Sequence, residues 1–313
     1  MTEITPNEKR PIRIGLANLD TSHPREYIPV IRALGHEAVG VYDDSVVFDR
    51  DYAGRFTAEN GIARQYDDLS ELARDVDVAY VGGCDWTARL GAVRLLADAG
   101  VGVLLDKPAA ATWSELDQLE ELVRSGARIT GGSAFLWCDE VLDWALAHGS
   151  AITALATCHG HELDYGVHAG ALVLAACGPG VREVHASRVD GALVVDLRWS
   201  AGHVARYLLA DEPLSPNYAV TVVSTDAVCQ LVPDPGGLYR ALLRPALPYL
   251  AGRAPAPRPY CEIVEPERIC LAAAMSLRGG GRWVHMQDPG LVGSEFDAAE
   301  FTSKYREQRL AGR

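Results

Sequence analysis

Val101-Gly102-Val103-Leu104-Leu105-Asp106-Lys107-Pro108 reads as a buried β-strand that ends abruptly on two charged residues and a proline. An unbroken apolar run of this length suits a parallel strand covered on both faces. Open α/β sheets bind their ligands beyond the carboxyl ends of such strands, so Lys107 is placed for polar substrate chemistry rather than left as a solvated turn lysine. Shortly after it, Thr112-Trp113-Ser114-Glu115 has the spacing of a capping box and predicts a helix start.

Outward from this strand, short β-rich runs alternate with helical patterns. Strands are expected at residues 12–16, 37–42, 76–81 and 127–131, and helices at 24–34, 51–59, 69–74, 86–99 and from 112 to about 125. That alternation is the signature of right-handed βαβ units, so residues 1–132 are read as a Rossmann-like α/β domain with a parallel sheet. Beyond residue 133 the texture changes. Helices are expected around 141–147, after His168 and at 267–277, with alternating strands over 184–232 and a last strand at 282–286, which makes 133–286 a second, α+β domain. The Pro-, Gly- and Arg-rich stretch 233–259 reads as a long connection around a short helix. Residues 287–313 form a charged tail whose pattern over 296–310 fits either a docking helix or a frayed end.

Composition narrows the class of function. The 313 residues are 48% hydrophobic and 23% charged, as in ordinary globular chains, and 29 basic against 42 acidic residues give a net charge of -13. That balance repels phosphate backbones, so no nucleic-acid partner is expected. The seven cysteines form no C-x-x-C pair and sit mostly in apolar runs, which suggests reduced thiols and a cytoplasmic location. The opening residues hold no apolar signal core, and no run reaches the roughly 20 apolar residues a membrane span needs.

Three groups of residues carry candidate chemistry. The turn Gly15-Leu16-Ala17-Asn18-Leu19-Asp20-Thr21-Ser22-His23-Pro24 follows the first strand, where a dinucleotide pyrophosphate would sit. It keeps Gly15 and the small Ala17 but places Asp20 where a third small residue belongs; Asn18, Thr21, Ser22 and the helix amides could still donate to an anion. At the end of the second strand, Asp43 can accept from a ribose hydroxyl. With Asp44 beside it the extra phosphate of NADP is repelled, so NAD is the expected cofactor. The densest polar cluster is Cys158-His159-Gly160-His161-Glu162-Leu163-Asp164-Tyr165-Gly166-Val167-His168. Asp164 and His168 stand four apart at an expected helix start, on one face, and with Lys107 form a plausible proton-transfer set. His159, His161, Asp164 and His168 also offer metal ligands, but their spacing matches no compact zinc motif and no metal is expected.

Taken together, these pieces resemble the glucose-fructose oxidoreductase / inositol dehydrogenase / MocA family over nearly the whole chain. The strand ending Asp106-Lys107-Pro108 is similar to that family's strand ending Glu-Lys-Pro, and Asp164-Tyr165-Gly166-Val167-His168 to its Asp-x-Gly-x-His motif. The resemblance implies a Rossmann domain followed by a domain built on an open, mostly antiparallel sheet, and a homodimer or homotetramer. It further implies NAD-dependent oxidation or reduction of a sugar-like, cyclitol-like or other small polar metabolite. In that reading Lys107 contacts the reacting hydroxyl, His168 accepts its proton and Asp164 positions the substrate or the histidine. Gly15, Ala17, Asn18, Thr21, Ser22, Asp43, Asp106 and Trp86 face the cofactor. Departures are equally visible. The family's Thr-Pro-x-x-x-His is here Cys84-Asp85-Trp86-Thr87-Ala88-Arg89, so Trp86 either clamps a nicotinamide or packs, and the stretch between Phe135 and Asp164 is shorter than usual. A redox-neutral isomerase, lyase or cyclase on the same scaffold, or a binding subunit without catalysis, are the rival readings.

Overall fold

The structure, a computed structural model, describes residues 10–311, so most of the opening segment read for a signal lies outside the described residues. The first half runs β1 (Arg13–Ala17), α1 (His23–Ala33), β2 (Glu37–Tyr42), α2 (Tyr52–Glu59), β3 (Arg64–Tyr66), α3 (Leu69–Asp75), β4 (Val78–Val81), α4 (Trp86–Asp98), β5 (Gly102–Leu105), α5 (Trp113–Arg124) and β6 (Ile129–Gly131). Its strands form one parallel six-stranded sheet in the order β3-β2-β1-β4-β5-β6, the doubly wound arrangement. Every residue of β4 and β5 is buried, as expected for strands with helices on both faces. The capping box at α5 forms as its spacing predicts: Glu115 N donates to Thr112 Oγ1 at 3.1 Å and Thr112 N to the Glu115 carboxylate at 3.2 Å. The short edge strand β3 was not expected; its three residues carry too little pattern to show.

The second half runs α6 (Asp139–His148), β7 (Thr153–His159), α7 (Gly166–Cys177), β8 (Val181–Val189), β9 (Ala192–Trp199), β10 (Val204–Ala210), β11 (Ala219–Val223), β12 (Val228–Leu231), α8 (Pro235–Leu250), α9 (Tyr260–Ile263), α10 (Glu265–Arg278), β13 (Val284–His285) and α11 (Ala298–Ala311). Seven strands pair in the order β12-β11-β7-β10-β9-β8-β13, antiparallel except where β7 meets β10. Helices α7 and α10 cover one face of this sheet, and every residue of α7 is buried. No helix among the described residues is long and apolar enough to cross a membrane.

Two segments differ from expectation. Residues 233–259 are dominated not by a connection but by the sixteen-residue helix α8, which packs on α1, β5 and β6 of the first sheet. Pro235 occupies its first turn, where no amide donor is needed, while tertiary packing holds Pro245 and Pro248 inside it. The approach is close enough that a Cβ on Gly102 would lie 2.2 Å from the Leu250 carbonyl oxygen. In the tail, α11 docks on the body.

Helix α10 also places a carboxyl group in the core. Glu267 is 1% exposed, one of its oxygens accepts from Ala109 N at 3.2 Å, and the other is buried without a hydrogen-bond partner. Burial pushes its carboxyl up to about 7, against the opposing pull of backbone amides, Arg89 and Lys107. Because the folded value lies above the unfolded one, the native state holds the extra proton. Stability is then full below about pH 4.5 and falls as the pH rises toward 7, by on the order of 3 kcal/mol. Urea midpoints at pH 5 and pH 8 should show this fall, and Glu267→Gln should flatten it. An equal slope in both proteins would assign the pH dependence to other groups.

Candidate active site

The carboxyl ends of β1, β4 and β5 face α7, and between them lies a cavity of about 280 Å3. Its polar lining includes His23, Asp106, Lys107 and His168, and its walls are largely aromatic, with Tyr27, Phe135, Tyr165, Tyr218 and Tyr239. Lys107 donates to the Asp164 carboxylate at 2.8 Å and to the Asp164 carbonyl at 3.0 Å, which leaves the third N–H of its ammonium for a ligand. Burial alone would favour the neutral amine, but Asp164 and Asp106 outweigh it and raise the Lys107 pKa, so the group stays charged.

His168 is buried, and burial together with the charge of Lys107 holds its pKa well below the usual histidine range, so the ring is neutral. Helix α7 begins only at Gly166, so Asp164 lies in the preceding turn rather than on a shared helix face. Its partner is Lys107, whereas His168 Nδ1 lies 2.8 Å from Ser133 Oγ in the turn after β6. Ser133 Oγ also accepts from Phe135 N at 3.3 Å.

Asp106 borders the cavity and turns its carboxylate toward α1. It accepts from His23 Nδ1 at 2.6 Å, the Tyr80 hydroxyl at 2.7 Å and Lys107 N at 2.8 Å. Burial would raise its pKa, but His23, Arg89 and Lys107 hold it far below the carboxylate range. His23 thus joins the site, although in the sequence it is only one residue of the turn before Pro24. Its one visible signal was its place beside Pro24, just before the expected helix start. Ser133 and Tyr80 carried none.

The remaining expected residues gather around the turn after β1. Gly15 lies inside the strand, where a Cβ would meet the Leu72 side chain at 2.9 Å, and Ala17 is buried at the strand end. Asn18 adopts a φ of 69°, the left-handed conformation glycine usually fills, and its amide donates to the Tyr42 carbonyl at 2.8 Å. Thr21 Oγ1 accepts from His23 N at 3.3 Å, and Ser22 lines the cavity. Asp20 is completely buried and accepts from Cys84 N at 2.7 Å. Burial pushes Asp43 up to about 7 and also raises Asp20 and Asp44. Arg89 is buried and donates to the carbonyls of Gly83, Asp106 and Pro108.

Helix α11 lies over this crevice. Phe301 stacks on the buried Trp86 with ring centroids 4.2 Å apart, Thr302 Oγ1 donates to the Cys84 carbonyl at 3.1 Å, and the Tyr305 hydroxyl donates to the Asp20 carbonyl at 3.2 Å. Trp86 therefore packs on the chain's own helix. A second cavity of about 300 Å3 runs between α11 and the residues Thr21, Ser22, Trp86 and Lys107, and it shares Ser22, His23, Lys107 and Tyr165 with the first.

A doubly wound sheet followed by a second, largely antiparallel sheet is an architecture this chain shares with solved dehydrogenases and oxidoreductases. Among solved structures the chain is similar to a probable dehydrogenase from Thermotoga maritima (17% identity, 88% of this chain and 99% of that one, TM-score 0.76). It is also similar to an NAD-binding oxidoreductase from Klebsiella pneumoniae (14%, 89% and 99%, TM-score 0.76). A third is the scyllo-inositol dehydrogenase of Lactobacillus casei (11%, 90% and 99%, TM-score 0.72). At such identities the likeness is one of fold. Neither a protein-family model nor a curated protein matches the chain.

A nicotinamide dinucleotide, which this fold implies, meets suitable groups at both ends of the crevice. Next to Asp43, Asp44 lines a cavity with Asn18 and Tyr42, where an acidic oxygen can accept from a ribose hydroxyl, and the second cavity opens onto Lys107. Helix α11 covers the stretch between these two ends.

Proposed function

We propose that the chain is an NAD-dependent oxidoreductase acting on a hydroxyl or carbonyl group of a small polar metabolite, sugar-like or cyclitol-like in character. The observation that carries this reading is the convergence of a charged Lys107, a neutral His168 and the His23–Asp106 pair on one small cavity at the carboxyl ends of β4 and β5. The dinucleotide supplies the hydride donor or acceptor when bound. Lys107 turns its free N–H toward the substrate oxygen and stabilises the developing alkoxide, while Asp164 holds the ammonium in place. His23, with Nδ1 tied to Asp106, keeps Nε2 free to exchange the hydroxyl proton. Ser133 Oγ keeps a second lone pair beside the one that accepts from Phe135 N, so it can either donate to His168 Nδ1 or accept from it, and in the second arrangement His168 Nε2 is an acceptor facing the cavity. His168, where the family resemblance puts proton acceptance, is a second acceptor on the same cavity.

The two acidic groups at the end of β2 favour NAD over NADP. Exposed Leu155 and Val204 on the second sheet support assembly as a homodimer or homotetramer. The test is NADH absorbance with a panel of polyols and keto sugars. Turnover is expected, and Lys107→Ala or His23→Ala should cut kcat/KM by about 100-fold or more with circular dichroism unchanged. Turnover without net change in NADH would replace this reading with the redox-neutral one. Full activity in Lys107→Ala would remove the lysine from the chemistry.

A further inference from the structure

We propose that Asp20, Asp43 and Asp44 form a divalent-cation site at the carboxyl ends of β1 and β2. Carboxylate oxygens of the three residues lie within 4.8 Å of one another. Asp20 is completely buried. One of its oxygens is satisfied by Cys84 N, and the other, Oδ1, is buried with no hydrogen-bond partner. Asp43 repeats the pattern: Oδ1 accepts from Ser45 N at 2.9 Å and Oδ2 is buried without a partner. Asp44 completes the group from the solvent side, steadied by Asn18 Nδ2 at 2.8 Å and Val46 N at 3.2 Å.

The charge of Arg89 reaches Asp20 only at a distance, and no ion pair among the described residues answers the three groups. Among the described residues, no lysine, arginine or histidine forms an ion pair with any of them. Burying a carboxylate without a counter-charge is costly, and orphaned buried acceptors are rare in folded proteins. A hard cation removes both costs at once, because it supplies the charge and coordinates the free oxygens. An all-oxygen ligand set selects calcium, magnesium or manganese over softer metals. Calcium accepts irregular sets of oxygen ligands, whereas magnesium demands a near-ideal octahedron and gives up its waters reluctantly. Calcium is the best match, with water filling the remaining positions. The bound ion also puts positive charge into a turn that lacks the glycines of a phosphate cradle, although the site stands without any nucleotide.

Tyr305 provides the reporter, because its hydroxyl donates to the Asp20 carbonyl at 3.2 Å and its ring can sensitise terbium emission. The purified full chain is stripped with chelator and titrated with terbium, then with calcium, magnesium and manganese by calorimetry. The expected result is one ion per chain, affinity for calcium in the micromolar range, and a Tm several degrees higher in 1 mM calcium. The double variant Asp43→Asn, Asp44→Asn leaves the buried Asp20 untouched, and it should weaken binding at least 100-fold with circular dichroism unchanged. No binding of any of the three ions at millimolar concentration, with an unchanged Tm, overturns the proposal. So does undiminished binding by the double variant, which would place the ion elsewhere.

Discussion

Asp106→Ala should lower the unfolding free energy by about 3–5 kcal/mol, the effect of emptying a buried charge site whose partners remain. Asp106 is 3% exposed and accepts from His23, Tyr80 and Lys107 N. Tyr80 is itself completely buried, so its hydroxyl cannot turn to water once the carboxylate is gone. Asp106→Asn keeps the shape and one acceptor oxygen and should cost less than half as much. Urea unfolding monitored by fluorescence measures both, and an alanine penalty under 1 kcal/mol would show that these hydrogen bonds are replaced by others. The pH dependence follows from the direction of the shift. With the folded pKa held below the unfolded one, the stabilisation is full above about pH 4 and is lost as the pH falls further. Wild type should therefore lose stability in acid more steeply than Asp106→Asn.

The second large effect concerns α11. Releasing it should raise NADH affinity by up to about 100-fold in the double variant Phe301→Ala, Tyr305→Ala. The helix is mostly exposed, with Ala298 its one fully buried residue, so its docking rests on the Phe301–Trp86 stack and the hydrogen bonds of Thr302 and Tyr305. Removing two aromatic anchors forfeits roughly 3 kcal/mol of burial. If a nucleotide needs the helix displaced, that free energy returns as affinity through a larger binding-competent population. Calorimetric titration of both proteins with NADH decides the matter, with thermal unfolding as the control for the body of the fold. Equal affinities would show that α11 and the nucleotide do not compete, and weaker binding by the variant would make α11 part of the nucleotide's wall.

Much of the first sheet was legible in the chain because its signals are local. Residues 37–42 coincide with β2, the capping box forms at Thr112, and the apolar run before Asp106 is a fully buried strand. Each rests on backbone preferences and side-chain periodicity over a few residues, which neighbouring sequence suffices to specify. By the same logic the composition of 233–259 misled, because its prolines look like breakers until packing against β5 and β6 holds them in α8.

The amino-acid sequence by itself determined the alternation of strands and helices and the delivery of Lys107 to the mouth of a parallel sheet. Tertiary structure alone decided which groups meet there: His23 with Asp106 across 83 positions, Lys107 with Asp164 across 57, His168 with Ser133 rather than Asp164, and α11 over the crevice. The reason is physical. Secondary structure follows from dihedral preferences that each segment carries with it, whereas the partner of a buried charge is chosen only when distant segments are desolvated together and every polar atom must find a donor or acceptor within about 3 Å.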